Sequence, residues 1–243
     1  MGLSPSTLFH FTSKSGLKGV LKDNFKLKYC LEKINHREKP VEIAIPMVSF
    51  CDIKISEIKE HIEKYGYYGI GLSKKWAFEK GLNPVIYLNS QSSFADGIIS
   101  TMRKFYASPE IDRNDKMNSA NLLRYSKIYE GDLNRKGKII KNYRFADERE
   151  WRFVPDPKPD FLAWLSKKQY NTTEKKRTQN TKLSNERLYF NANQILYIIV
   201  KKEDEIKEII RHIRDVKGKN YSMDEIDRLT TRILSCERIM NDF

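Results

Sequence analysis

The chain has 243 residues, 40% of them hydrophobic and 12% aromatic, with 45 Lys and Arg against 32 Asp and Glu for a net charge of +13. This composition excludes a disordered chain, and the length fits one large globular domain or one domain with an appended subdomain. No apolar run approaches the ~18 residues of a membrane span, and the start shows no basic region followed by a long apolar stretch, so a cytoplasmic protein without membrane association is expected. The three cysteines, odd in number and without a Cys-x-x-Cys spacing, support neither a disulfide framework nor a thiolate zinc site.

The positive excess is local. Residues 1–40 carry 8 basic and 3 acidic residues, 101–145 carry 11 and 5, and 165–190 carry 7 and 2, whereas 201–243 are balanced at 10 each. Three basic blocks suit an anionic partner such as nucleic acid; a solvated lysine-rich surface is the plain alternative.

In chain order, "LFHF" (8–11) reads as a short strand. Residues 13–23 then place Leu17, Val20 and Leu21 at helical spacing, capped by Ser13 or Ser15, with Lys14, Lys18 and Lys22 on the opposite face. "VEIAIPMVSFCDI" (41–53) predicts two extended pieces split at Pro46. "SEIKEHIEKYG" (56–66) is a helix with Ser56 as its cap and Gly66 at its end. A strand over 67–73, a short helix over 73–81 and a strand over 83–89 follow. Residues 91–130 read as mostly helical, and 138–154 as a strand pair. Residues 155–186 form a long basic loop with a helical piece at "DFLAWLSKKQ". A buried-type strand (193–202) precedes two helices over about 203–243. Ile206, Ile209, Ile210 and Ile213 stripe the first, and a Ser222–Glu225 capping box opens the second. Without a parallel βαβ rhythm, the reading is a single α+β domain over 1–243, with a mixed β core, surrounding helices and a helical C-terminus.

No phosphate-binding glycine loop, His-x-x-x-His pair or Gly-x-Ser-x-Gly elbow is present, and no metal site is expected. Three polar pieces remain: His10-x-Thr12, the Tyr65-Gly66-Tyr67-Tyr68-Gly69 segment, and "ADEREWRF" with Glu148 and Glu150 two apart. On a strand, Glu148, Glu150 and Arg152 share one face. A carboxylate pair can hold a sugar hydroxyl and a developing positive charge, which is the requirement for breaking an N-glycosidic bond. Each piece also has a structural reading. His10 can be a satisfied core histidine, the Tyr-Gly cluster a helix end and turn, and Glu148–Arg152 an ion pair on a solvent face. A metal-independent ribonuclease built on His10 is the weaker enzymatic option, because His36 lies in a polar loop and His61 and His212 lie on helices.

The segments "LFHFTSKSGLKGVLKDNF", "IKEHIEKYGYYGIGLSKKWA", "FADEREWRF" and "LYFNANQILYIIVKKEDEIKEI" resemble the AbiGi family of bacterial abortive-infection proteins over nearly the whole chain. That resemblance implies a phage-defence antitoxin partnered with an operon-encoded nucleotidyltransferase-like toxin. A more distant resemblance to ADP-ribosyltransferase folds of the DarT type implies an ADP-ribosyltransferase-like mixed β core, NAD as co-substrate and nucleic acid or protein as acceptor. It implies Glu150 as the catalytic carboxylate with Glu148 two before it, His10 and Thr12 on the ribose, and Tyr68, with Tyr65 and Tyr67 close behind, stacking nicotinamide. The usual Ser-Thr-Ser run is replaced here by "GIGLSKK". Lys14, Lys18, Arg103, Lys104 and Arg144 are the expected contacts to nucleic acid. Glu150→Ala is expected to abolish NAD turnover with the thermal midpoint within a few degrees.

Overall fold

The structure is a computed structural model that describes residues 4–35, 40–135, 137–218 and 221–242; His36 lies outside them. Its strands are β1 (Thr7–Thr12), β2 (Phe25–Lys26), β3 (Lys28–Ile34), β4 (Val41–Cys51), β5 (Tyr68–Ser73), β6 (Asn83–Pro84), β7 (Ile86–Leu88), β8 (Ser126–Ile128), β9 (Glu130–Arg135), β10 (Lys138–Arg144), β11 (Glu150–Phe153), β12 (Leu165–Ser166), β13 (Arg187–Leu188), β14 (Ile195–Val200) and β15 (Ile233–Ser235). The helices are α1 (Lys14–Asp23), α2 (Lys59–Tyr65), α3 (Lys74–Glu79), α4 (Ser93–Ala107), α5 (Arg113–Arg124), α6 (Thr173–Thr181), α7 (Ile206–Lys217), α8 (Met223–Thr230) and α9 (Cys236–Asp242). This is the mixed α+β architecture expected. The chain divides into two compact units: residues 1–26, 49–82 and 187–243 form the first, and residues 27–48 and 83–186 the second.

In the first unit, strands run in the order β15, β14, β5, β1, with the end of β4 paired to β1 at Phe9↔Cys51. All neighbours are antiparallel except β14 and β15, which are parallel. The register sets Gly71 opposite Phe9 and Gly69 opposite Phe11. A Cβ at Gly71 would stand 2.9 Å from the Phe9 ring, and one at Gly69 3.0 Å from the Phe11 ring. The two glycines of "YGIGLS" therefore make room for aromatic rings on the neighbouring strand. On that face Phe9 packs with Ile58, Ile62, Ile199, Cys236 and Ile239, drawing α2 and α9 onto the sheet. Gly66 ends α2 at φ +127, and any Cβ there would lie 2.5 Å from the Thr12 carbonyl oxygen.

In the second unit, β3 runs antiparallel to residues 41–47 of β4, and β12 pairs with β4 at Leu165↔Ala44. β11 pairs with β6, β7 runs parallel to β8, and β9 and β10 form a hairpin. Ile34, Leu88, Ile98, Ile99, Ile128 and Phe145 build one core beneath α4, and Ile43, Ile45, Met47 and Val154 build a second.

Several local expectations are corrected. Pro46 does not split β4, because the strand continues through a Tyr29↔Pro46 pairing. Residues 138–154 are not one strand pair. β10 returns on β9, a 3₁₀ turn spans Phe145–Glu148, and β11 belongs with β6. Ser56 falls inside a 3₁₀ turn (Ile55–Glu57) and caps nothing, and α2 starts later. In the 155–186 stretch, "DFLAWLSKKQ" is irregular, with a two-residue strand (Leu165–Ser166) and a 3₁₀ turn (Lys167–Gln169), and the α-helix is α6, a polar sequence whose propensity is masked by its lack of an apolar stripe. The C-terminal stretch is not purely helical, because "ILS" pairs with β14 as β15. The Ser222–Glu225 capping box stands as expected.

Candidate functional site

The sequence candidates fall in both units, and each set has its own surroundings. In the first unit, β1 places His10 and Thr12 on one sheet face, opposite Ile70 and Tyr68 on β5. His10 Nδ1 lies 2.8 Å from the Ser49 carbonyl oxygen. A carbonyl only accepts, so Nδ1 carries the proton and, in the neutral ring, Nε2 is the basic nitrogen. The imidazole stands edge-on to Phe25, with centroids 5.1 Å apart, and 5.7 Å from Phe50. Both rings join Trp76, whose indole N–H donates to the Tyr189 carbonyl. Burial pushes the His10 pKa below its ordinary 6.5 and outweighs the Ser49 hydrogen bond. The ring is half-buried, hydrogen-bonded through Nδ1 and packed on aromatic rings.

Thr12 is wedged between two glycines. A Cβ at Gly16 would meet its Oγ1 at 2.1 Å, and Gly66 crowds its carbonyl from the other side. The Tyr68 hydroxyl donates to Glu205 Oε1 at 2.7 Å, and burial, then Glu205, push its pKa up to about 12. Tyr65 stacks on His61 at 4.8 Å, and the half-exposed Tyr67 carries the Lys201 ammonium over its ring at 4.9 Å.

In the second unit, Glu148 and Glu150 do not alternate along one strand. Glu148 closes the 3₁₀ turn, Arg149 follows in the left-handed region at φ 43, and only Glu150 and Arg152 share a face of β11. Both carboxylates nevertheless reach one ammonium: Lys127 Nζ is 2.6 Å from Glu150 Oε2 and 3.4 Å from Glu148 Oε2. The other Glu150 oxygen takes the Arg152 Nε–H at 2.6 Å. Arg152 Nη1 donates to the carbonyls of Arg124 (3.0 Å) and Ser126 (3.4 Å), and its Nη2 lies 3.1 Å from Glu32. The Glu150 backbone N–H donates to the Tyr87 hydroxyl at 2.7 Å.

Glu150 is 3% exposed and Arg152 fully buried, so this is no solvent-face ion pair. Burial alone would raise the Glu150 pKa, but Arg152 and Lys127 overcome it and hold the carboxyl well below the usual range. Burial likewise works against the charged form of Lys127, and Glu150, Glu32 and Glu148 reverse it and hold the ammonium protonated. The cluster sets three carboxylates, Glu32, Glu148 and Glu150, against two cations, Lys127 and Arg152. Lys127, Glu32 and Tyr87 went unseen in the sequence. Lys127 sits in a three-residue strand, "SKI", and nothing local marks its long-range partners.

The expected nucleic-acid contacts differ in how far their charge is spent. Lys14 Nζ is 2.5 Å from Glu208 and 3.2 Å from Glu205, and Lys18 is 2.8 Å from Glu208. Arg144 lies 3.9 Å from Asp147, a loose pair at the surface. Arg103 and Lys104 lie on α4, in its exposed last turns.

No helix among the described residues is long and apolar enough to cross a membrane. No solved structure matches the chain at a significant level. Residues 23–201 match the family described as "Putative abortive phage resistance protein AbiGi, antitoxin". The chain is also 30% identical to the abortive phage resistance protein AbiGi of Lactococcus lactis subsp. cremoris, over 234 residues that cover 87% of this chain and 94% of that protein. The chain belongs to the AbiGi family of abortive phage resistance proteins.

Proposed function

We propose that this protein is the antitoxin of a phage-defence pair, a binding module that holds a toxin partner and performs no ADP-ribosyl transfer. The observation that carries this is the state of Glu150. A carboxylate that stabilises an oxocarbenium-like transition state must turn an oxygen toward the sugar. Both Glu150 oxygens are instead held at 2.6 Å by Lys127 and Arg152 in a buried site. His10 supports the same reading: its Nδ1–H is committed to Ser49 and its ring is packed among phenylalanines. The antitoxin description of the family agrees. The partner we propose is a nucleotidyltransferase-like toxin encoded in the same operon.

Two measurements test this. Co-expression with that toxin is expected to restore growth, and the two chains are expected to co-purify. Incubation with labelled NAD, with and without nucleic acid, is expected to release no nicotinamide. Turnover by the native protein that disappears in Glu150→Gln would overturn the reading. It would restore the transferase assignment, with His10 and Thr12 on the ribose and Tyr65, Tyr67 or Tyr68 on the nicotinamide.

A further inference from the structure

We propose that residues 167–182, centred on α6, form a surface that binds the sugar-phosphate backbone of nucleic acid. The segment carries six basic residues, Lys167, Lys168, Lys175, Lys176, Arg177 and Lys182, against one acidic residue, Glu174. It differs from the lysines of α1 in what becomes of the charge. Lys14 and Lys18 are neutralised by Glu205 and Glu208. On α6, Lys175 Nζ donates to the Lys168 carbonyl at 2.8 Å and approaches Asn171 Oδ1 at 3.4 Å, both uncharged acceptors. Lys168, Arg177 and Lys182 have no acidic partner among the described residues, while Lys167 is paired with Glu42 at 2.8 Å.

The helix is anchored by one side and open on the rest. Asn180 accepts from the Tyr29 backbone N–H at 2.9 Å and donates to the Tyr170 hydroxyl at 2.9 Å. One turn earlier Lys176 lies over the Tyr170 ring at 5.7 Å. Lys175 and Lys182 lie well round the helix from these anchors, Arg177 lies nearer to them, and all three are exposed.

The chemistry of α6 selects the partner. "TEKKRTQNT" has no apolar side chain. A protein interface needs a desolvated core with aromatic or aliphatic anchors, and α6 offers none. Lys and Arg interleaved with Thr, Gln and Asn is the set that contacts phosphate and sugar without reading base edges. Binding there is therefore sequence-independent and driven by counterion release. This surface is separate from the toxin-holding role and does not rest on it.

The test is fluorescence anisotropy of the full chain with a labelled mixed-sequence single strand and a duplex of about 20 nucleotides, repeated from low to moderate salt. The native protein is expected to bind either with a steep salt dependence. The variant K168A/K175A/R177A/K182A alters only exposed side chains. It is expected to lose at least about tenfold in affinity near 0.1 M salt, and its log–log salt slope to flatten by ~0.9 per lost contact on duplex or ~0.7 on single strand. K14A/K18A is expected to bind as the native protein does, and both variants to keep neutralising the toxin. The proposal is overturned if the native protein does not bind, if the α6 variant binds unchanged, or if K14A/K18A loses as much. Retained nucleic-acid binding with loss of toxin co-purification in the α6 variant would also overturn it, by assigning the surface to a protein partner.

Discussion

The two units each contain a carboxylate shared between cations, and the two arrangements have opposite energetic characters. In the first unit, Lys14 and Lys18 flank Glu208 at the surface, tying α1 to α7. In the second, Lys127 and Arg152 flank Glu150 in the interior, joined by Glu148 and Glu32. The surface set is solvated before and after folding, and its attraction is screened. In the second set Glu148, Glu150 and Arg152 are buried and Lys127 and Glu32 half-buried, so its charges are largely withdrawn from solvent and depend on one another. A residue count treats the two alike; burial decides which lysine is still available to a ligand and which carboxylate is spent on structure.

The sharpest way to break the comparison is to remove one buried partner. Arg152→Met removes one of the two cations that hold Glu150 and is expected to cost about 3–5 kcal/mol, lowering the thermal midpoint by roughly ten degrees. Glu150→Ala takes the shared carboxylate from Lys127 and Arg152, which keep Glu148 at 3.4 Å and Glu32 at 3.1 Å, and is expected to fall in the same range, which replaces the expectation of a midpoint within a few degrees. Replacing Lys127, Glu150 and Arg152 together with apolar residues is expected to recover much of that loss, as measured by chemical denaturation. Failure to recover would mean that the cluster has a role beyond mutual neutralisation.

The first unit is expected to depend more on close backbone approach than on charge. Gly66→Ala forces a side chain into φ +127 and against the Thr12 carbonyl, with an expected loss of about 1–3 kcal/mol.

The next test is pH. His10 is held neutral by a lowered pKa, so the unfolded chain binds its proton first as pH falls below 6.5. Stability from this group is complete above that value and declines below it, by no more than about 1.4 kcal/mol per pH unit. His10→Phe is expected to flatten that limb of a midpoint-against-pH plot between about pH 6.5 and 5. Glu150, with its pKa depressed, contributes stability that is present above the usual carboxylate range and is lost in acid further down. An unchanged limb in His10→Phe would show that His10 is not the group responsible. The smallest effect is expected for Lys18→Ala, whose surface pair is expected to leave the midpoint where it is.

The periodic elements were legible in the sequence because their signals are local. The Ile206–Ile213 stripe, the Ser13 and Ser222 caps and the Gly66 stop each sit within a few residues of what they control. The partners of Glu150 were not legible, because Lys127 and Glu32 are brought to it only by the pairing of separate strands. α6 was hidden for the opposite reason: a helix exposed on nearly every side has no apolar period to betray it. Pro46 shows a third limit, since a punctuation residue is tolerated where the ladder does not need its missing N–H.

The parallel pairing of β14 with β15 has a consequence for how the protein is made. The first unit draws its strands from segments before residue 83 and after residue 186, whereas every residue of the second unit lies before 187. During synthesis at about 5–20 residues per second, the second unit has its whole sequence in hand once residue 186 is made, while β5 waits with an open flank until β14 and β15 follow. A chain interrupted before β14 would thus hold one finished unit and one unfinished unit, exposing the bare edge of β5 to proteases.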